Sequence, residues 1–123
     1  MKVSDLNSSV TNPRTVTKEK LKALKDSMME FGDLSGIIYN RVTDTLLGGH
    51  QRITTLPKNA EVEIAERYDE PTSVGTVALG WVSLGDERFS YREVEWDEKK
   101  HELAMIRANV QAGEWDYQQL SET

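Results

Sequence analysis

The stretch Leu46 to Leu56, LLGGHQRITTL, restricts the fold more than any other part of the chain. Leu46 and Leu47 read as the end of a short strand. Gly48 and Gly49 follow at once, then His50, Gln51 and Arg52, then Ile53 to Leu56 with helical character. A strand, a glycine pair and a helix start let backbone approach an anion closely, because glycine allows positive φ and carries no Cβ. The first helical turn offers unsatisfied N–H groups and the positive end of its dipole. Arg52, one turn in, carries a planar fork that matches a phosphate or a carboxylate. The same spacing also suits a tight, solvated corner between strand and helix, and spacing alone favours that plainer reading.

The elements on either side follow from periodicity. Met1 to Leu6 is a short strand candidate anchored by Val3 and Leu6, and Asn7 to Pro13 has turn chemistry, with Arg14 just beyond. Thr17 is a suitable N-cap. Leu21, Leu24, Met28 and Phe31 recur at helical spacing, and Gly32 stops that helix. Gly36 to Asn40 reads as a strand, Arg41 to Asp44 as a connection and Thr45 to Leu47 as a second strand. Pro57 ends the helix after the glycine pair at the latest. Val62, Ile64 and Tyr68 alternate with polar neighbours, as in a half-buried strand. Val77, Leu79 and Trp81 share one face of another strand. Gly85 and Asp86 suit a tight hairpin turn into Phe89 to Trp96. Glu93 and Glu95 would share the face of Phe89 and Tyr91, so an irregularity or an exposed edge is expected there. Asp97 caps a last long helix with an apolar stripe of Leu103, Ile106 and Val110, ended by Gly113. The fold class is therefore α+β, a small mixed sheet with packed helices.

Composition narrows the function. With 123 residues the chain suits a single domain, 1–123. Its stop at Thr123, with Leu120 barely used, reads as a fragment of a longer protein. Lys plus Arg is 15 against 21 Asp plus Glu, a formal net charge of −6. That balance disfavours tight non-specific DNA binding, which rests on neutralising phosphates. There is no cysteine, which excludes disulfides, thiolate metal sites and cysteine nucleophiles. No signal peptide or membrane span is legible, so a cytoplasmic protein with no membrane partner is the expectation.

The order of motifs resembles the N-terminal domain of the ParB/sulfiredoxin superfamily over nearly the whole chain. The matching features are an Asn-Pro-Arg turn (Asn12, Pro13, Arg14), a helix ending in Phe-Gly, a strand, Gly-Gly-His-Gln-Arg opening a helix, and a late helix carrying Asn109 and Gln111. The resemblance is nearest to ParB-like nuclease domains, which in phages and bacteria often precede a DNA methyltransferase or another DNA-modifying module. It implies an α+β domain whose glycine–arginine turn receives a nucleoside triphosphate, CTP in partition proteins and ATP in sulfiredoxins, with magnesium. DNA would then be reached through another domain or partner, and a homodimer is open. The family turn in partition proteins reads Gly-Glu-Arg-Arg, which Gly49 and Arg52 match, with His50 and Gln51 between. The sulfiredoxin turn reads Gly-Gly-Cys-His-Arg, which Gly48, Gly49 and Arg52 match. His50 stands in place of the catalytic cysteine, which speaks against sulfinic acid reduction. The late Glu-Asn-x-x-Arg motif keeps Asn109 but has Ala108 and Ala112 at its glutamate and arginine. That loss speaks against metal-assisted hydrolysis and leaves nucleotide binding.

Nucleotide- or phosphate-binding candidates are thus Gly48, Gly49, His50, Gln51, Arg52, Arg14 and Asn109, with His50 the catalytic candidate because imidazole titrates near neutrality. A nuclease or nucleotide hydrolase using the same turn, and an interaction or dimerisation module without ligand, stay as alternatives. His101 reads as solvated on the polar side of the late helix, and two distant histidines without cysteine argue against zinc. Glu30, Asp33 and Asp44 are solvated carboxylates first and magnesium ligands second. Trp81, Trp96 and Trp115 read as packing residues rather than stacking platforms.

Overall fold

The computed structural model describes residues 1–6 and 17–108. A 3₁₀ turn at Val3–Asp5 replaces the strand expected at Met1 to Leu6. Val3 and Leu6 are both exposed there, so no apolar anchor holds that segment against the sheet. Helix α1 runs Lys18–Phe31. The Thr17 hydroxyl accepts from the Lys20 N–H at 3.2 Å, and the Gly32 N–H donates to the Met28 carbonyl at 2.8 Å. Strand β1 is Ile37–Asn40 and β2 is Thr45–Gly48, followed by the short helix α2 at His50–Thr55. Strands β3 (Val62–Arg67), β4 (Thr76–Leu84) and β5 (Glu87–Val94) follow. Residues 98–108 are helical (α3), and the Asp97 carboxylate caps them by accepting from the Lys100 N–H at 2.8 Å.

The five strands form one sheet in the order β2-β1-β5-β4-β3. β1 and β5 run parallel, and every other neighbouring pair is antiparallel, so the sheet is mixed. The β4–β5 hairpin turns through Gly85 and Asp86. Only Gly85 has a positive φ there (+60°), which glycine adopts without a Cβ penalty.

Alternation along β1 sends consecutive side chains to opposite faces, and each face has its own core. Ile38, Leu47 and Val94 join Phe31 from α1, Ala104 from α3 and Trp96 on one face. Phe31 meets the Trp96 ring edge-on, with centroids 5.8 Å apart. Ile37, Val82 and Tyr91 join Leu56, which follows α2, on the other.

Several expectations are corrected. β5 is the central strand, not an exposed edge, and its last four residues, Tyr91 to Val94, are buried. The irregularity falls on its partner, where the register shifts between Thr76 and Ala78 and takes Val77 out of phase with Leu79 and Trp81. β3 is one of the two edge strands and all six of its residues are exposed, so it is not half-buried. On α1 the apolar period is present but Leu21, Leu24 and Met28 are 42–54% exposed, and the buried residues are Ser27 and Phe31. On α3 the stripe is likewise rotated: Leu103 and Ile106 are exposed, while His101 and Ala104 are buried. Trp96 is core as expected and Trp81 is partly buried. Trp115, Val110 and Gly113 lie outside the described residues.

Candidate functional site

β2 delivers the chain to the corner. Gly48 pairs with Ile38, and Gly49 then takes φ +81° and ψ 18° as the residue before α2. That is left-handed backbone, which costs an L-residue about 1–2 kcal/mol. A Cβ at Gly49 would also stand 2.8 Å from the Ile37 Cα and 3.1 Å from the Gly36 carbonyl oxygen. The missing side chain of Gly49 is therefore filled by β1. The packing of α2 against the sheet is a sufficient reason for this glycine, with no ligand invoked. Gly48 is less constrained, its added Cβ lying 3.3 Å from the Gly36 carbonyl oxygen.

Past Gly49 the corner opens to solvent. His50, Gln51 and Arg52 are all exposed. The first helical bond runs from the Ile53 N–H to the Gly49 carbonyl at 3.0 Å, so the N–H groups of His50, Gln51 and Arg52 have no partner within the helix. The helix is short because its far end closes quickly. The Leu56 N–H reaches the Arg52 and Ile53 carbonyls, the Thr54 hydroxyl donates to the His50 carbonyl and the Thr55 hydroxyl to the Arg52 carbonyl. Arg52 has no carboxylate partner among the described residues. Its guanidinium carbon stands 5.8 Å from the centre of the Phe89 ring on β5.

The structure brings Gly48, Gly49, His50, Gln51 and Arg52 together at one corner. Arg14 and Asn109, the two other predicted anion ligands, lie outside the described residues, as does Asn12. Two of the three carboxylates considered for magnesium have partners elsewhere: Asp33 accepts from the Ser35 N–H and hydroxyl, and Asp44 from the Tyr39 hydroxyl, while Glu30 is exposed on α1. Among the described residues no group of three His, Asp or Glu side chains is placed to hold a metal ion.

Two polar clusters were not legible in the sequence. His101, expected in solvent, is buried because its ring meets Asn40, 61 residues away. The Asn40 Oδ1 accepts from the Val42 and Trp96 N–H groups, both at 3.1 Å. Its Nδ2 donates to the Trp96 carbonyl at 2.9 Å and faces the His101 Nδ1 at 3.0 Å. All four hydrogen-bonding positions of the amide are used. The donor from Asn40 requires Nδ1 of His101 to accept, which places that ring's proton on Nε2.

The second cluster explains how two glutamates fit beside the central strand. Glu93 is reached by the Tyr91 hydroxyl at 2.8 Å, by Arg67 at 3.1 Å and by Arg41 at 3.6 Å, and Arg41 also faces Glu95. Burial, and then the bond to Glu93, hold the Tyr91 phenol well above its ordinary pKa. Arg92 is buried on the opposite face. Its Nε donates to the Thr76 hydroxyl at 2.8 Å and its Nη1 to the Asp33 carbonyl at 3.0 Å. Desolvation lowers its pKa, with the Asp33 charge opposing.

Comparison with protein-family models, with curated proteins and with solved structures finds no match for this chain. Among the described residues no helix is long and apolar enough to cross a membrane.

Proposed function

We propose that the corner from Gly48 to Arg52 binds a phosphate-bearing ligand, a nucleoside triphosphate in the first instance, and that the chain is a ParB-like domain. The observation that carries this reading is Arg52. It is exposed, it has no carboxylate among the described residues, and it sits on the same turn as three N–H groups that lack helical partners. A guanidinium and a row of N–H donors suit the non-bridging oxygens of a polyphosphate. The motif order described above supports the ParB-like assignment and, with it, cytoplasmic service to a DNA-processing or DNA-modifying protein. Magnesium, on this reading, arrives with the phosphates, which share its coordination with water. DNA is reached through another domain or partner, and the corner binds without turning the ligand over.

The test is calorimetric titration of the chain with CTP, ATP, GTP and UTP, with and without magnesium. Charge-assisted hydrogen bonds contribute roughly 1.5–3 kcal/mol each, so Arg52→Ala is expected to cost about tenfold to a hundredfold in affinity. Arg52→Lys is expected to weaken binding as well, because lysine keeps the charge and loses the fork. Parent-like binding by a folded Arg52→Ala variant would remove the corner as the ligand site.

A further inference from the structure

We infer that the contact between Asn40 and His101 is an acid-sensitive latch holding α3 on the sheet: it closes on the neutral imidazole, and a proton on that ring opens it. The latch is independent of any ligand at the corner. Asn40 on β1 and His101 on α3 are both buried. The Asn40 amide cannot turn over. Its Oδ1 accepts from the Val42 and Trp96 N–H groups and its Nδ2 donates to the Trp96 carbonyl, so three backbone groups fix its orientation. Nδ2 therefore presents an N–H to the His101 Nδ1 at 3.0 Å, and only a ring nitrogen with an open lone pair can receive it. An imidazolium donates from both nitrogens. Protonation at Nδ1 sets two donors against each other in a buried place, where an unmade hydrogen bond is costly.

Among the described residues no carboxylate pairs with the ring to offset that conflict. Arg92 from β5 and Lys100 from α3 both lie against the Trp96 ring, and both are cations. The Asp97 carboxylate accepts from the Lys100 N–H, and Arg41, next to Asn40, faces Glu93 and Glu95. Asp26 and Glu30 on α1 and Glu98 and Glu102 on α3 are exposed. The remaining hold on α3 is small: Ala104 is buried, and Met105 and Ala108 are only partly so. Loss of the latch therefore falls on this helix. Once α3 opens, the ring takes up a proton as pH falls below the ordinary histidine value of about 6.5. One extra proton bound in the open state favours opening by up to about tenfold for each pH unit below that value, and the latch has its full strength above it.

The experiment follows the 123-residue chain from about pH 8 to pH 5, the window in which histidine is the side chain that ordinarily changes charge. It reads hydrogen exchange of the α3 amides, corrected for the pH dependence of unprotected exchange, together with the His101 ring signals. Protection of residues 101–108 is expected to fall by up to about tenfold per pH unit below about pH 6.5, relative to the amides of β4 and β5. His101→Gln supplies an acceptor that does not titrate, and is expected to keep α3 protected down to pH 5. His101→Leu removes acceptor and proton site together, and is expected to lower α3 protection by the same factor at every pH. Should His101→Leu not fold, the comparison of His101→Gln with the parent decides alone. An acid loss that persists in His101→Gln or His101→Leu overturns the inference. So do His101 ring signals that titrate in place while α3 protection stays unchanged.

Discussion

Asn40 and His101 show what a buried polar residue does in a fold of this size. Asn40 is fully buried and joins β1, the connection to β2, the backbone at Trp96 and the α3 histidine in one set of four hydrogen bonds. Replacing it by an apolar residue strands several donors and acceptors at once, and each buried unsatisfied group costs about 1–3 kcal/mol. Asn40→Leu is therefore expected to destabilise the chain by roughly 2–5 kcal/mol, read as a lower urea midpoint. His101→Leu, which leaves one Asn40 donor unpaired, is expected to cost less. Equal stability of Asn40→Leu and the parent would mean that these bonds are not formed in solution. Tyr91 carries a pH prediction. Its phenol titrates higher in the folded state than in the unfolded chain, so the unfolded state loses its proton first as pH rises. Tyr91 thus contributes stability that is fully present below about pH 10, the ordinary tyrosine value, and is lost progressively above it. Thermal melts across pH 9–12 are expected to show an alkaline decline that is shallower in Tyr91→Phe; parallel declines would contradict the assignment.

At the scale of elements the corner is first a packing device. Gly49→Ala combines left-handed backbone with a Cβ 2.8 Å from the Ile37 Cα, and is expected to cost roughly 2–4 kcal/mol in denaturation. Gly48→Ala is expected to cost less, and a Gly49→Ala variant as stable as the parent would contradict the observed turn. Elements defined by neighbours in sequence were legible: Thr17 and Gly32 bound α1, Gly85 and Asp86 turn the hairpin, and β2 passes into α2 through the glycine pair, ending on Gly48 with Gly49 between the two. What depends on distant partners was not. Helical periodicity reports that an apolar face exists, not how much of it the sheet covers, so Leu21, Leu24 and Met28 looked like core and are largely exposed. The alternation in β5 argued for an irregularity or an exposed edge; the edge reading fails because nothing near Glu93 in sequence announces Arg67 or Arg41. Of the candidate site, the grouping of Gly48 to Arg52 was readable because it is one continuous turn, whereas the ring beside Arg52 belongs to Phe89, 37 positions further along.

The molecule as a whole carries a formal charge of −6, and its candidate anion site is a local exception to that balance. Phosphate contacts dominate protein–DNA affinity, so a chain of this acidic balance is expected to hold DNA weakly and not to nick it. A plasmid assay with magnesium tests this, and robust nicking abolished by Arg52→Ala would make the corner a nuclease site instead. In the proposed function the turn after β2 receives phosphate. Amide chemical shifts of the isotope-labelled chain, followed during titration with tripolyphosphate, test it most directly. The largest saturable shifts are expected on the N–H groups of His50, Gln51 and Arg52 and on the Arg52 side-chain Nε–H, and Arg52→Ala is expected to remove saturation in that range. Shifts that leave these groups unmoved, or that concentrate on the lysines of α1, would contradict it.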